Sequence, residues 1–173
     1  MTNEQVLSFN KVYNATYSLL IKIAFHITSD MDASEDLCQE AYLKYYTRKE
    51  PLPSVEQAKY WLIRVVKNLC YNYSKRKGRE VKAYEKYGKE AKTFTDSSDA
   101  SLLKEETSML VQKALDKLPF SLRIVLILRE YGGLNYKDIG NILKITEGNV
   151  KVRVFRARER LSELLKEDEI HVS

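Results

Sequence analysis

The 173-residue sequence predicts an all-α fold: two small helical domains joined by a flexible linker, with a helix-turn-helix in the C-terminal domain. Three observations predict it. Apolar residues recur at three- and four-residue intervals through most of the chain, the spacing that gathers them on one face of a helix. That periodicity fades between Gly78 and Asp99 into charged, small and polar residues, the composition of a linker with patchy helix. From Tyr136 to Leu165 two periodic segments meet across a short turn. The organisation is therefore an N-terminal domain over residues 1–77, a linker over 78–104 and a C-terminal domain over 105–173, with no internal repeat.

In the first helix Phe9, Tyr13, Tyr17, Leu20, Ile21 and Ala24 form the face expected to pack in the core, and the pattern runs to about Thr28. Ser29-Asp30-Met31-Asp32 is a turn, and Asp32 with Glu35 three residues later resembles a capping box opening the second helix. There Leu37, Cys38, Ala41 and Tyr45 face inward and Asp36, Gln39, Glu40 and Leu43 face outward. Pro51 and Pro53 end that helix, because each lacks a backbone donor and constrains its predecessor. A third helix spans about Val55 to Lys75. Ala58, Trp61, Leu62, Val65, Val66, Leu69 and Tyr73 make its buried arc, and Tyr60, Arg64, Lys67, Tyr71 and Lys75 an opposite stripe of rings and cations.

Periodicity resumes at Leu102, Leu103, Leu110, Val111, Ala114, Leu115 and Leu118, stops before Pro119, and returns from Leu122 to Arg129 before the Gly132-Gly133 pair. Asn135 or Tyr136 opens a short helix through Ile139, Ile142 and Leu143. Lys144-Ile145-Thr146 makes a turn in which Thr146 suits the N-cap of the last helix. At about 100° per residue that helix places Val150, Val154, Ala157, Leu161, Leu164 and Leu165 on one side. Asn149, Val152, Phe155, Arg156 and Glu159 fall on the other, with Lys151, Arg153, Arg158 and Arg160 at the margins.

A helix that buries one side and offers amide, apolar and guanidinium groups on the other fits a DNA major groove. Arg156 suits a bidentate contact to guanine, Val152 and Phe155 suit thymine methyls, and Lys151, Arg153 and Arg158 suit phosphates, which position without specifying sequence. The stripe on the third helix suits single-stranded nucleic acid, with bases on Tyr60 and Tyr71 and phosphates on Arg64, Lys67 and Lys75. A tyrosine at a core edge with only its hydroxyl in water would give the same spacing. The acidic Asp36, Gln39, Glu40, Leu43 face is by itself unremarkable, since exposed helix faces commonly carry such residues.

The net charge of +5 is modest, but it is concentrated in the last helix and between Lys59 and Lys82, where eight cations face one acid, Glu80. Such patches attract polyanions. Cys38 and Cys70 sit in apolar helical patterns and read as buried free thiols. His26 and His171 are isolated, which argues against a metal site, and no nucleotide-binding loop or carboxylate and histidine constellation points to catalysis. The expectation is a chain that is not an enzyme, uses no cofactor and has no small-molecule substrate. No charged-then-apolar leader and no apolar run long enough to cross a bilayer is seen, so a cytoplasmic location is expected. A stand-alone helix-turn-helix regulator, dimeric on a palindrome, would share the last helix but has no use for the acidic face or the stripe.

Five motifs stand in order along the chain: Asp36-Leu37-Cys38-Gln39-Glu40-Ala41-Tyr42, Trp61-Leu62-Ile63-Arg64-Val65-Val66-Lys67-Asn68, Leu118-Pro119, Tyr136-Lys137-Asp138-Ile139, and Gly148-Asn149-Val150-Lys151-Val152-Arg153-Val154-Phe155-Arg156-Ala157-Arg158. Together they make a chain that resembles the extracytoplasmic-function group of bacterial RNA polymerase sigma factors, over nearly everything outside the linker. The resemblance implies that the N-terminal domain corresponds to sigma region 2 and grips the coiled coil of the polymerase clamp, with Asp36, Gln39, Glu40 and Leu43 on the docking surface. It implies that the third helix and the loop before it capture the melted minus-ten element, through Tyr60, Arg64, Lys67, Asn68, Tyr71 and Lys75. The C-terminal domain would then correspond to region 4 and read the minus-thirty-five element as duplex, through Asn149, Lys151, Val152, Arg153, Phe155, Arg156 and Arg158. The implied partners are bacterial core RNA polymerase, promoter DNA and an anti-sigma factor, membrane-anchored in some members, and the active protein would be nucleoid-associated.

The chain departs from the family pattern at three places. Glu50-Pro51-Leu52-Pro53-Ser54-Val55 stands where members often have a Gly- and Phe-containing loop. Gly140 replaces a common alanine, which permits tighter packing at a cost in helix propensity. Asn149 stands in place of the usual threonine at the start of the recognition helix.

Overall fold

The computed structural model describes residues 2–86 and 102–172, and among these every regular element is helical. The N-terminal domain comprises α1 (Asn3–Thr28), α2 (Met31–Tyr46) and α3 (Val55–Lys86). The C-terminal domain comprises α4 (Leu102–Lys117), α5 (Phe120–Leu126), α6 (Tyr136–Leu143) and α7 (Glu147–Val172). Residues 87–101 of the expected linker, and the side chains of Leu102, Leu103 and His171, lie outside the described residues.

α1 begins earlier than its apolar pattern because Thr2 and Gln5 form a capping box: the Gln5 amide donates to Thr2 Oγ1 at 3.3 Å and the Thr2 amide to Gln5 Oε1 at 3.0 Å. Its core face is Val12, Thr16, Leu20, Ile23 and Ile27, with Ala24 beside them. Leu20 and Ala24 of the expected face are fully buried, and the rest of it lies one step round the helix. Phe9, Tyr17 and Ile21 are only half-buried, and Tyr13 is 37% exposed. These rings instead form an aromatic wall with Tyr42, Tyr45 and Tyr46 of α2, with Tyr13 and Tyr42 centroids 4.8 Å apart.

Ser29 ends α1 in the left-handed conformation, its amide donating to the Phe25 carbonyl at 2.7 Å. Asp30, not Asp32, caps α2: one carboxylate oxygen accepts from the Ala33 amide at 3.0 Å, and the other accepts from the Tyr73 hydroxyl at 3.0 Å. These bonds hold the Asp30 carboxyl below its usual range, the Ala33 amide contributing most. The α1–α2 corner is thereby tied to α3.

Ser54 caps α3 through the Gln57 amide at 3.1 Å. The buried residues of α3 are Ala58, Leu62, Ile63, Val66 and Cys70, flanked by half-buried Trp61, Val65, Leu69 and Tyr73. Both thiols are buried and free, and burial pushes Cys38 up to about 12. α3 does not stop near Lys75. It continues to Lys86, since Gly78 is a single break, costing about 1 kcal/mol, in a run of good helix formers.

In the C-terminal domain α5 passes into one π-helical turn, Ile127–Tyr131, which the apolar pattern did not announce. Ile124, Val125, Leu126, Ile127 and Leu128 are all buried there against Ile139, Ile142, Val150, Val154 and Ala157. The Arg129 guanidinium donates to the Leu134 carbonyl at 2.9 Å and lies over the Tyr136 ring, closing the turn at Gly132-Gly133.

The turn of the helix-turn-helix is drawn tight. Lys144 is left-handed at φ 57°, and the Ile145 amide donates to the Gly140 carbonyl at 3.0 Å. A Cβ on Gly140 would stand 2.8 Å from the Ile145 carbonyl oxygen, closer than a side chain is normally found. Alanine in a helix interior ordinarily stabilises, but Gly140→Ala should destabilise the chain by about 1–3 kcal/mol, read as a lowered midpoint of chemical unfolding.

Candidate nucleic-acid and partner interfaces

Three surfaces emerge from this scaffold. The first is the outer side of α7, which Thr146 caps by accepting from the Asn149 amide at 3.1 Å. Val150, Val154, Ala157 and Leu164 are buried and Leu161 and Leu165 half-buried, as their period requires. Opposite them Val152 is 46% and Phe155 63% exposed, beside exposed Asn149, Lys151 and Arg156 and half-buried Arg153. The cations differ in freedom. Lys151 lies 3.7 Å from Glu147, whereas Arg158 is bonded to Glu130 at 2.6 Å, a bond that raises its pKa and leaves it partnered within the domain.

The second is the outer side of α2. Asp36, Gln39 and Glu40 are exposed and Leu43 is 64% exposed. Gln39 and Leu43 also border a groove of about 380 Å³ between α1 and α2, walled by Phe9, Tyr13, Tyr17, Tyr42 and Tyr46. Its floor is fixed by the Tyr42 hydroxyl, 2.6 Å from Thr16 Oγ1, and burial pushes Tyr42 up to about 12. Gln39 and Leu43 therefore adjoin an aromatic surface, of which the sequence pattern assigns Phe9, Tyr13 and Tyr17 to the core.

The third is the stripe on α3, and here the structure departs from a solvent-facing ladder. The C-terminal domain packs on its N-terminal half. The Tyr60 hydroxyl lies 2.8 Å from the Glu56 carboxylate and 3.0 Å from that of Asp138 in α6, and burial followed by these two acids raises its pKa. Arg64 donates to the Asn141 carbonyl at 3.2 Å and the Ile142 carbonyl at 3.3 Å, two oxygens that the last turn of α6 leaves without helical partners. Lys67 is half-buried, and burial, then Arg64 and Lys144, hold its ammonium below the usual range. The Tyr71 ring is tilted against Phe120 with centroids 4.5 Å apart, and the Lys75 ammonium lies 5.9 Å from the Tyr71 ring centre. Only Asn68 and Lys75 are open, along with 37% of Tyr71.

Other contacts complete this seam, and the sequence reading missed them because His26, Gln112 and Asp116 belong to no motif. The His26 ring stacks on Tyr131 at 3.4 Å and donates from Nδ1 to Gln112 Oε1 at 2.7 Å. Gln112 donates in turn to the His26 carbonyl and Ser29 Oγ, and Ser29 donates to Asp116 at 3.1 Å.

Among the described residues no cluster of three metal-ligating side chains occurs, and no helix is long and apolar enough to cross a membrane. The loop before α3 is held by Arg48, whose guanidinium lies 4.8 Å from the Trp61 ring centre and whose Nε donates to the Glu50 carbonyl.

Comparison with known proteins gives a consistent result. Residues 12–80 match the model for sigma-70 region 2, and residues 108–161 that for sigma-70 region 4. The chain is 31% identical over 134 residues to the ECF RNA polymerase sigma-E factor of Escherichia coli K12, covering 73% of this chain and 70% of that protein. It is 27% identical over 154 residues to the RNA polymerase sigma-H factor of Pseudomonas aeruginosa, covering 84% and 80%. Among solved structures it is similar to the sigma factor RpoE in complex with the anti-sigma factor NepR from Bartonella quintana. There the TM-score is 0.66 and the identity 27%, over 95% of this chain and 98% of that one.

Burial lowers the pKa of His26, with Lys22 acting the same way and the Gln112 bond and Asp116 opposing. A histidine kept neutral by the fold contributes full stability above its free value, and that contribution is lost as pH falls from there through the lowered one. Unfolding at a series of pH values should thus show stability declining from about pH 7 to pH 5, and the decline should shrink in His26→Phe, which keeps a ring on Tyr131 without a titrating group.

Proposed function

The chain belongs to the extracytoplasmic-function group of sigma-70 factors and directs transcription initiation by RNA polymerase, and from that premise we propose how its surfaces divide the task. Residues 1–77 act as the region 2 domain, 78–104 as the connection, and 105–173 as the region 4 domain. Asp36, Gln39, Glu40 and Leu43 dock on the polymerase clamp. Asn149, Lys151, Val152, Arg153, Phe155, Arg156 and Arg158 read the minus-thirty-five element as duplex. Tyr60, Arg64, Lys67, Asn68, Tyr71 and Lys75 hold the melted minus-ten strand. What chiefly supports this division is the pair of exposed apolar side chains, Val152 and Phe155, on a helix whose opposite side is fully used by the core. Exposed apolar groups flanked by guanidinium groups suit thymine methyls beside guanine.

Promoter opening then proceeds by capture. Unstacking a base costs a few kcal/mol, and stacking it on an aromatic side chain returns about 1–3 kcal/mol. The protein performs no bond chemistry of its own and acts in the cytoplasm. Its relative RpoE is seen bound to an anti-sigma factor, and we extend such an inhibitor, membrane-anchored or free, to this chain.

Transcription in vitro with bacterial core polymerase tests the reading, and addition of the chain should produce starts at discrete genomic sites. Asp36→Arg should abolish binding to core polymerase without altering the folded state. Arg156→Ala should lower promoter affinity about 10- to 100-fold with docking preserved, the loss expected for one bidentate base contact. Tight duplex binding by the purified chain, with no effect on polymerase, would contradict it.

A further inference from the structure

The charge of Arg158 is already matched by a group outside α7. Its guanidinium donates to the Glu130 carboxylate at 2.6 Å, and the Tyr136 hydroxyl accepts from it as well. Tyr136 in turn has the Arg129 guanidinium over its ring, 4.6 Å from the ring centre, and Arg129 donates to the Leu134 carbonyl. Arg158 therefore joins three elements: the π-helical turn, the first residue of α6, and α7. Lys151, by contrast, pairs with Glu147 of its own helix.

Glu130 is placed by that turn. The Gly132 amide donates to the Ile127 carbonyl, five residues back, at 3.0 Å, so the turn holds one residue more than an α-helical one. Ile127 and Leu128 stay fully buried while Glu130 reaches the rim beside α7. A Cβ on Gly132 would stand 2.5 Å from the Leu128 carbonyl oxygen, so this path requires glycine there. On α7, Arg158 stands three residues after Phe155 and two after Arg156, less than one turn along the helix. Fixing Arg158 fixes the turn that carries both.

Resting on the reading of α7 as the duplex reader, we propose that Glu130 and Arg158 form a brace that sets the angle of α7 against α6. Arg158 then serves minus-thirty-five recognition as a positioning residue, without touching a phosphate, and Glu130, which belongs to no motif, joins it. Base contacts need such a brace, because a recognition group works only when held within about 0.5 Å and 10–20° of its productive geometry. A phosphate approaching Arg158 would meet the Glu130 carboxylate beside it, and like charges that close repel. Both side chains are about half exposed, so the pair contributes little to folding stability and its effect is on orientation.

Promoter binding by the full-length chain with core polymerase tests this. The probes are a labelled promoter fragment containing one of the transcription starts and the same fragment with its minus-thirty-five element scrambled, each over a series of salt concentrations. Glu130→Gln and Arg158→Gln should each weaken binding to the intact fragment about tenfold and leave the scrambled one unchanged. Together they should weaken it no more than either alone. Neither should change the salt dependence, whereas a lost phosphate contact lowers the slope of log K against log salt concentration by about 0.9. The exchanged pair, Glu130→Arg with Arg158→Glu, should restore most of the lost affinity, which is impossible if Arg158 meets a phosphate. A lowered slope in Arg158→Gln, with Glu130→Gln neutral or tighter in binding, would overturn the brace. Arg156→Ala separates the two levels of the argument. If it weakens binding to the intact fragment and Glu130→Gln does not, the brace alone fails; if neither has an effect, α7 is not the duplex reader and the proposal falls with that reading.

Discussion

The arrangement of the molecule turns on the Arg64 guanidinium against the last carbonyls of α6. A guanidinium cannot give up its proton, and removed from water it requires acceptors. Two oxygens at a helix end, unpaired by the rules of helix geometry, meet that requirement, and the helix dipole makes them better acceptors than isolated amides. Around this contact the Tyr60–Asp138 bond, the Tyr71–Phe120 pair and the His26, Gln112 and Tyr131 group align the two domains. The surface of α3 proposed to meet the melted strand is thereby engaged by the C-terminal domain.

The same economy appears elsewhere. α2 spends its inner side on Leu37, Cys38, Ala41 and Tyr42 and leaves its acidic side exposed, next to an aromatic groove. α7 buries Val150, Val154 and Ala157 so completely that Val152 and Phe155 can only face outward. Apolar residues stranded in water are expensive unless a partner covers them. Polymerase and promoter are the partners that the sigma-factor family supplies.

Much of this was legible in the sequence, and where it was not the reason is physical. The last helix, its Thr146 cap and the Lys144-Ile145-Thr146 turn follow from local rules, period and capping, and Gly140 is read as permitting tighter packing. The structure agrees on each of them. Periodicity fixes that α1 is a helix but not its rotation, because rotation is set by what packs against it. Tyr13 is therefore grouped with Leu20 and Ala24 by period, whereas Val12 and Thr16 join those two in the core. The cap of α2 lay at Asp30 because Tyr73, distant in sequence, holds its second oxygen. The π-helical turn and the end of α3 at Lys86 had no apolar signature. Least legible was the state of the α3 stripe. Its residue types announce affinity for an anionic, aromatic partner, and sequence does not say whether that partner is another molecule or another part of the chain.

The central proposal is that α3 receives the melted minus-ten strand, and promoter melting followed by fluorescence of a base analogue in the minus-ten element tests it most directly. With core polymerase bound, Tyr71→Ala should slow melting while polymerase binding is unchanged. Melting by that variant at the rate of the unsubstituted chain would contradict the account.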